Sequence, residues 1–184
     1  MSIEDQIRRF ENLVQFVDNQ LPRYAEQVLA TDVIALVTNR VVQKGENFRG
    51  TSFKPYSSRT VAAWRFWGQS RTQAAERRIR AISRARGALS YQQFRELNNL
   101  KSDKKNFEFT GEMWRKFGIV RSSQIGEKFV ISIGGTTPSA QEKIDDNSAR
   151  EGISIIEASQ REETVAQNAA LDWLTENAQR ILNE

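Results

Sequence analysis

Lys128-Phe129-Val130-Ile131-Ser132-Ile133-Gly134-Gly135-Thr136-Thr137-Pro138 changes its period within a few residues. Phe129, Ile131 and Ile133 alternate with Lys128, Val130 and Ser132, the pattern of a strand with one buried face. Gly134-Gly135 ends the strand. Thr137-Pro138 then pairs a helix N-cap with proline at the first helical position, so a short helix is expected from about Pro138 to Ala149, closed by Gly152. Upstream, Gly118 to Arg121 is also β-rich, and Ser122 to Gly126 reads as the hairpin loop between the two strands. A hairpin set among helical segments makes the class α+β: a long N-terminal helix, a basic arm, a small antiparallel sheet and a C-terminal helix.

Working outward, the two ends are helical. Ser2 and Asp5 have capping-box spacing, and Ile3, Ile7, Phe10, Val14, Val17 and Leu21 form one apolar stripe behind them. Pro22 lacks an amide hydrogen and is expected to kink this helix or start a new one. A second stripe runs from Ala25 to Val37, and Lys44-Gly45 supplies the stop. At the other end, Ile153 to Glu157 reads as a short strand. Ser159 and Glu162 form a capping box for a final helix with its stripe through Val165, Ala166, Ala169, Ala170, Trp173, Asn177 and Ile181.

Between them the chain changes character. Glu46 to Ser58 is rich in turn residues yet carries Phe48, Phe53 and Tyr56, which marks an ordered loop that docks its rings. Ser58 to about Arg86 has helical composition and carries Trp64, Phe66 and Trp67 among Arg71, Arg77, Arg78, Arg80, Arg84 and Arg86. Of these arginines, Arg77, Arg80 and Arg84 share a helical face and Arg78 borders them. Ser90 and Gln93 cap a short helix, Lys101 to Asn106 is a polar connector, and Thr110-Gly111-Glu112 opens a single helical turn with Met113, Trp114 and Phe117. The 184 residues fit one α+β domain, 1–184, with 46–105 as an inserted loop and arm.

Charge is unevenly spread. The net charge is +4, but Arg49 to Lys105 holds 14 basic residues against 3 acids, whereas Gln141 to Glu184 holds 10 acids against 4 bases. Such a split points to a charged partner for the middle of the chain: nucleic acid, or the acidic end of another copy. The chain has no cysteine and no histidine, which removes disulfides, thiolate zinc sites, the Ser-His-Asp triad and the commonest metal ligand. Asp145 and Asp146 diverge by about 100° on a helix and do not converge on one ion. No phosphate-binding glycine loop occurs. No stretch reaches the roughly 20 apolar residues of a membrane span, and Met1-Ser2-Ile3-Glu4-Asp5 has neither the basic start nor the apolar core of a signal peptide. The expectation is a protein without catalysis, cofactor, metal or membrane contact.

Three tracts carry a resemblance. Gly45 followed by Glu46-Asn47-Phe48-Arg49-Gly50-Thr51-Ser52-Phe53-Lys54-Pro55-Tyr56-Ser57 resembles the G…G…F-x-P-Y-S loop of tailed-bacteriophage neck proteins, the tail-completion or head–tail joining proteins related to phage virion morphogenesis proteins. Ser90-Tyr91-Gln92-Gln93-Phe94-Arg95 with Phe109-Thr110-Gly111-Glu112-Met113-Trp114-Arg115-Lys116-Phe117 is similar to that family's L-T-G-x-M-x-x-S-F turn, with Phe109 in place of leucine and Lys116 in place of serine. Ala149 to Glu162 is similar to the stretch that leads into its C-terminal helix. The resemblance implies a structural virion protein without catalysis, assembled in the host cytoplasm. It would form a ring of six or twelve identical subunits in the neck, between the portal-side connector or adaptor and the tail proteins, with the genomic DNA passing through.

On that view Phe48, Phe53, Tyr56, Trp64, Phe66, Trp67 and the six arginines from Arg71 to Arg86 are the expected docking residues. The arginines would pair with carboxylates of a neighbour. The alternative is a DNA-binding accessory protein whose same arginines contact phosphates without sequence preference. A nuclease or other hydrolase has least support, since no acids or histidines converge.

Overall fold

The computed structural model describes residues 2–108, 110–125 and 128–183. Helical backbone runs unbroken from Ile3 to Lys44: α1 (Ile3–Tyr24), a π turn (Ala25–Leu29), α2 (Ala30–Thr38) and a second π turn (Asn39–Lys44). The Ser2–Asp5 capping box starts it, with both reciprocal bonds made. Pro22 therefore neither ends the helix nor begins another. The ladder carries on through it and widens into the π turn directly beyond, where the Ala30 amide reaches back five residues to the Ala25 carbonyl. Gly45 stops the helix at φ 70°, and a Cβ there would meet Lys104 Cβ at 3.1 Å, so glycine serves both the turn and the close passage of the chain.

The hairpin pairs β3 (Phe117–Ile125) with β4 (Lys128–Gly135) in antiparallel register, Ile119 opposite Ile133, with an irregularity before Arg121. Its strands are longer than the sequence pattern indicates: Ser122 to Ile125 belongs to β3, opposite Ile131 to Lys128, and Gly126 lies outside the described residues. Gly134 and Gly135 likewise remain in register, opposite Gly118 and Phe117. Glycine is needed at 135 because α6 (Pro138–Glu151) crosses immediately above: a Cβ would sit 2.2 Å from the Gln141 amide nitrogen. Thr137 and Pro138 start α6 as expected.

The main core gathers Val37 and Val41 from the first helix, Phe53 from the loop, Met113 from α5 (Glu112–Arg115), Phe117, Ile144 from α6, and Ile155. Ile153 to Glu157 is irregular and not a strand. Three of its backbone groups are committed elsewhere, the Ile153 amide to the Ser148 carbonyl, the Ile155 amide to Ser148 Oγ and the Glu157 carbonyl to Arg40, which hold the segment against α6 and the first helix and out of a sheet.

Ser58 to Arg86 departs most from its sequence reading. It is not one long helical arm. Thr60–Ala62 forms β1, Ala63–Phe66 a 3₁₀ turn, and only Gln73–Arg86 is α-helical (α3), with Thr72 as its N-cap. β1 pairs antiparallel with β2 (Ala88–Ser90), which runs straight into α4 (Tyr91–Leu97) through the Ser90–Gln93 capping box. This pairing captures residues whose composition alone favours helix. Ala63, Phe66, Ile79, Leu89 and Phe94 then close a second small core.

Finally α7 (Gln160–Asn183) lies along the first helix, with Trp173 stacked between Phe16 (5.7 Å) and Tyr24 (4.7 Å). Its start is fixed by Glu162, which completes the Ser159 capping box (2.7 Å) and forms a buried ion pair with Arg40 (2.9 Å). Arg40→Met should lower stability by about 3–5 kcal/mol, since it leaves the Glu162 charge buried without its cation. Urea unfolding followed by circular dichroism checks this, and a midpoint equal to wild type would show that the pair carries no such weight.

Candidate interaction surface

The expected docking residues separate into two groups. Phe53, Tyr56 and Phe66 are buried inside the chain and present nothing to a partner. Phe53 meets Phe107 edge-on at 4.8 Å, and Phe66 stacks on Phe94 at 4.6 Å. Phe48 is half-buried, with the Arg49 guanidinium 5.2 Å from its ring centre. Trp64 and Trp67, by contrast, are 59% and 46% exposed, and Arg71, Arg77, Arg78, Arg80, Arg84 and Arg86 are all exposed.

The helix geometry of α3 sorts the arginines. Ala75 and Ile79 face the second core, which leaves Arg77, Arg80 and Arg84 as a ridge on the opposite side. Arg78 and Arg86 instead flank a shallow groove over Leu89 and Leu97, with Glu96 across it. Of these arginines only Arg80 is ion-paired among the described residues, to Glu76 at 2.9 Å. Its guanidinium also lies over Trp67, 5.2 Å from the ring centre, a cation–π contact that props the tryptophan beside the ridge.

Glu76 organises this corner. Its carboxylate accepts from the Gly68 amide (3.1 Å), the Ser70 hydroxyl (2.9 Å) and Arg80. Burial would raise its pKa, but these hydrogen bonds and the arginine charge outweigh it and hold the carboxyl below the ordinary value. A lowered folded pKa means the brace is intact above the unfolded pKa and is lost as pH falls through the folded one.

A buried polar hub lies beneath the surface, where the two cores meet. Arg95 Nε donates to the Lys101 carbonyl (2.7 Å), Nη1 to the Glu108 carbonyl (2.6 Å) and Nη2 to Asn106 Oδ1 (2.9 Å), and the guanidinium sits 4.0 Å above the Tyr56 ring centre. Tyr56 Oη donates to Asn106 Oδ1 (3.1 Å) and accepts from the Phe107 amide (3.1 Å). Burial raises the Tyr56 hydroxyl above its ordinary pKa. A cleft of about 530 Å³ opens beside this hub. Two ion pairs line it, Lys105 with Glu151 at 2.5 Å and Lys143 with Glu112 at 2.8 Å.

Sequence reading missed this hub, the Arg40–Glu162 pair and the burial of Asn106. One signal was present: Arg95 falls four residues after Tyr91 and one after Phe94, on the inward side of a short helix. Phe109 lies outside the described residues. Among the described residues there is no cluster of three or more metal-ligating side chains, and no helix is long and apolar enough to cross a membrane.

No family model matches the chain, and no curated protein or solved structure matches it either.

Lowering the pH should release the Trp67 corner. Tryptophan fluorescence is expected to be steady above about pH 4.5 and to shift as pH falls and Glu76 protonates, and the shift should vanish in Trp67→Phe. An unchanged transition in that variant would assign the signal elsewhere.

Proposed function

We propose that the protein is a structural component of a tailed-bacteriophage neck, a ring subunit joining the portal side of the head to the tail around the passing genome. This reading gives it no catalytic role and puts it in the virion at the head–tail junction.

The observation that carries the reading is the convergence of the three resembling tracts. They lie far apart in sequence, yet Phe53, Met113, Phe117 and Ile155, drawn from all three, pack into one core. Residues chosen for their likeness to a family motif thus act together as a fold determinant, as a shared architecture would require. The exposed Trp64, Trp67 and arginine ridge gives such a subunit a cationic, aromatic surface of the kind that anchors protein interfaces. Its opposite in charge is available on the chain itself, which carries acidic residues in both terminal helices.

Arg77 and Arg84, exposed and without an ion pair among the described residues, also suit the second reading, nonspecific contact with DNA phosphates. The two part company experimentally. A phage lacking the gene should accumulate DNA-filled heads and separate tails, and the wild-type gene supplied in trans should restore joined particles. Supplied as Trp64→Ala/Trp67→Ala, it should restore at least tenfold fewer infectious particles. Normal joining without the protein would refute the neck reading. Duplex binding that weakens steeply between 50 and 200 mM salt would favour the DNA reading.

A further inference from the structure

The first helix covers one of its apolar faces and leaves another bare. Arg9, Phe16 and Tyr24 point at α7, where they meet the Leu182 carbonyl, the Trp173 ring, and Trp173 again with the Ala169 carbonyl. About 100° around the same helix, Ile3, Ile7, Phe10 and Val14 are 76%, 53%, 59% and 58% exposed. Their spacing of four, three and four residues is the narrow seam of a helix built to pack against another surface. Val17 and Leu21 continue it and are half-buried.

One flank of this seam is a row of carboxylates. Glu4, Glu11 and Asp18 recur every seven residues, are exposed, and make no hydrogen bond or ion pair among the described residues. The other flank carries Gln6, Leu13 and Gln20. Two such seams laid on each other would therefore leave the carboxylates without cations or set them against one another. The same row repels a nucleic acid or an anionic lipid surface. The occupant has to bring apolar side chains with cations beside them.

The chain itself carries that surface. Trp64 in the 3₁₀ turn packed on α3, and Trp67 just after it, are exposed aromatics, and Arg80 over the Trp67 ring ties that corner to the ridge on which Arg77 and Arg84 stand exposed, seven residues apart and without a carboxylate partner among the described residues. Seven residues of helix rise about 10.5 Å, so the arginine row and the carboxylate row have equal spacing. We propose that these two surfaces are the halves of a head-to-tail contact between copies. Trp64 and Trp67 of one copy pack on the Ile7–Phe10–Val14 seam of the next, and Arg77 and Arg84 pair with two successive carboxylates of its acidic row. The proposal rests on the ring-subunit reading and names its contact. Because the two patches differ, every copy keeps one free half, which is the condition for a closed ring or an open filament.

The purified full-length chain tests this by mass measurement in solution. Wild type is expected to assemble beyond the dimer. Ile7→Glu/Phe10→Glu destroys the seam and Arg77→Glu/Arg84→Glu destroys the ridge; all four residues are exposed, so folding is retained, which circular dichroism checks. Each variant alone should be monomeric. An equimolar mixture should give heterodimers and nothing larger, because one intact seam meets one intact ridge. Adding Glu4→Arg, Glu11→Arg and Asp18→Arg to the ridge variant should restore its self-assembly. Wild-type behaviour in either variant, a mixture that stays monomeric, or a wild type that is monomeric at all concentrations would overturn the proposal. The ring reading is separable: a ridge variant that assembles normally and still joins heads to tails refutes this contact alone, whereas head–tail joining in the absence of the protein refutes the neck reading and leaves the contact standing.

Discussion

Arg40 is almost fully enclosed, and its guanidinium holds three separate parts of the chain to the first helix at once. Nε reaches Glu162 at the start of the last helix, Nη1 the Glu46 carbonyl at 2.9 Å in the loop after the first helix, and Nη2 the Glu157 carbonyl at 2.6 Å in the segment before α7. A buried cation tolerates little displacement, because any donor pulled away from its acceptor leaves a desolvated charge. The ends of the chain are therefore registered against each other at one point. From that point α7 is laid along α1, and Trp173 reaches the gap between Phe16 and Tyr24. Glu162 serves a second purpose there as the reciprocal partner in its own helix cap, so the start of α7 and its placement are a single event.

Much of the local structure was legible because its signals are local. All three capping boxes read from sequence form, and the proline after Thr137 opens its helix. What was not legible was set by distant partners. The strand Thr60–Ala62 exists because Ala88–Ser90 pairs with it, and nothing within Ser58–Arg86 announces that pairing. Ile153–Glu157 has a strand's composition, but three of its backbone groups are drawn to Ser148 and Arg40. Asn106 reads as part of a polar connector, yet it is buried because Arg95, Tyr56 and Trp114 all bond to it. Of the residues expected to dock, exposure could be foreseen for the arginines, which seldom bury without partners. It could not be foreseen for the rings: Phe66 and Trp67 are adjacent, one turned into the small core and the other outward.

The hub of Arg95, Tyr56 and Asn106 does for the middle of the chain what Arg40 does for its ends. It lies where the core of Ala63, Phe66, Ile79, Leu89 and Phe94 meets the main one, and Phe94, the neighbour of Arg95, belongs to that smaller core. Lys101 Nζ adds a bond to Gln43 Oε1 at 2.8 Å across the same junction. The basic segment is thus mounted on the body of the protein by directional bonds, those of Arg95 buried or partly buried. A flexible tether would let the tryptophan–arginine surface wander; this mounting presents it at one orientation, which spares an interface part of the ordering cost of binding.

The distribution of exposed apolar groups follows from the same economy of partners. Helix α1 has two apolar faces, and α7 is one helix, so it can cover only one of them. Covering both would require a third helix. The basic segment, which carries a helix of fourteen residues, turns instead into its own small core with α3's arginines outward. A monomer built this way leaves a seam and a pair of tryptophans in water, each worth roughly 1.5–3 kcal/mol per large side chain if later buried. Their flanking charges are opposite in sign and equal in spacing. Surface of that kind is costly to a protein that works alone and useful to one that meets its own copies in a fixed order.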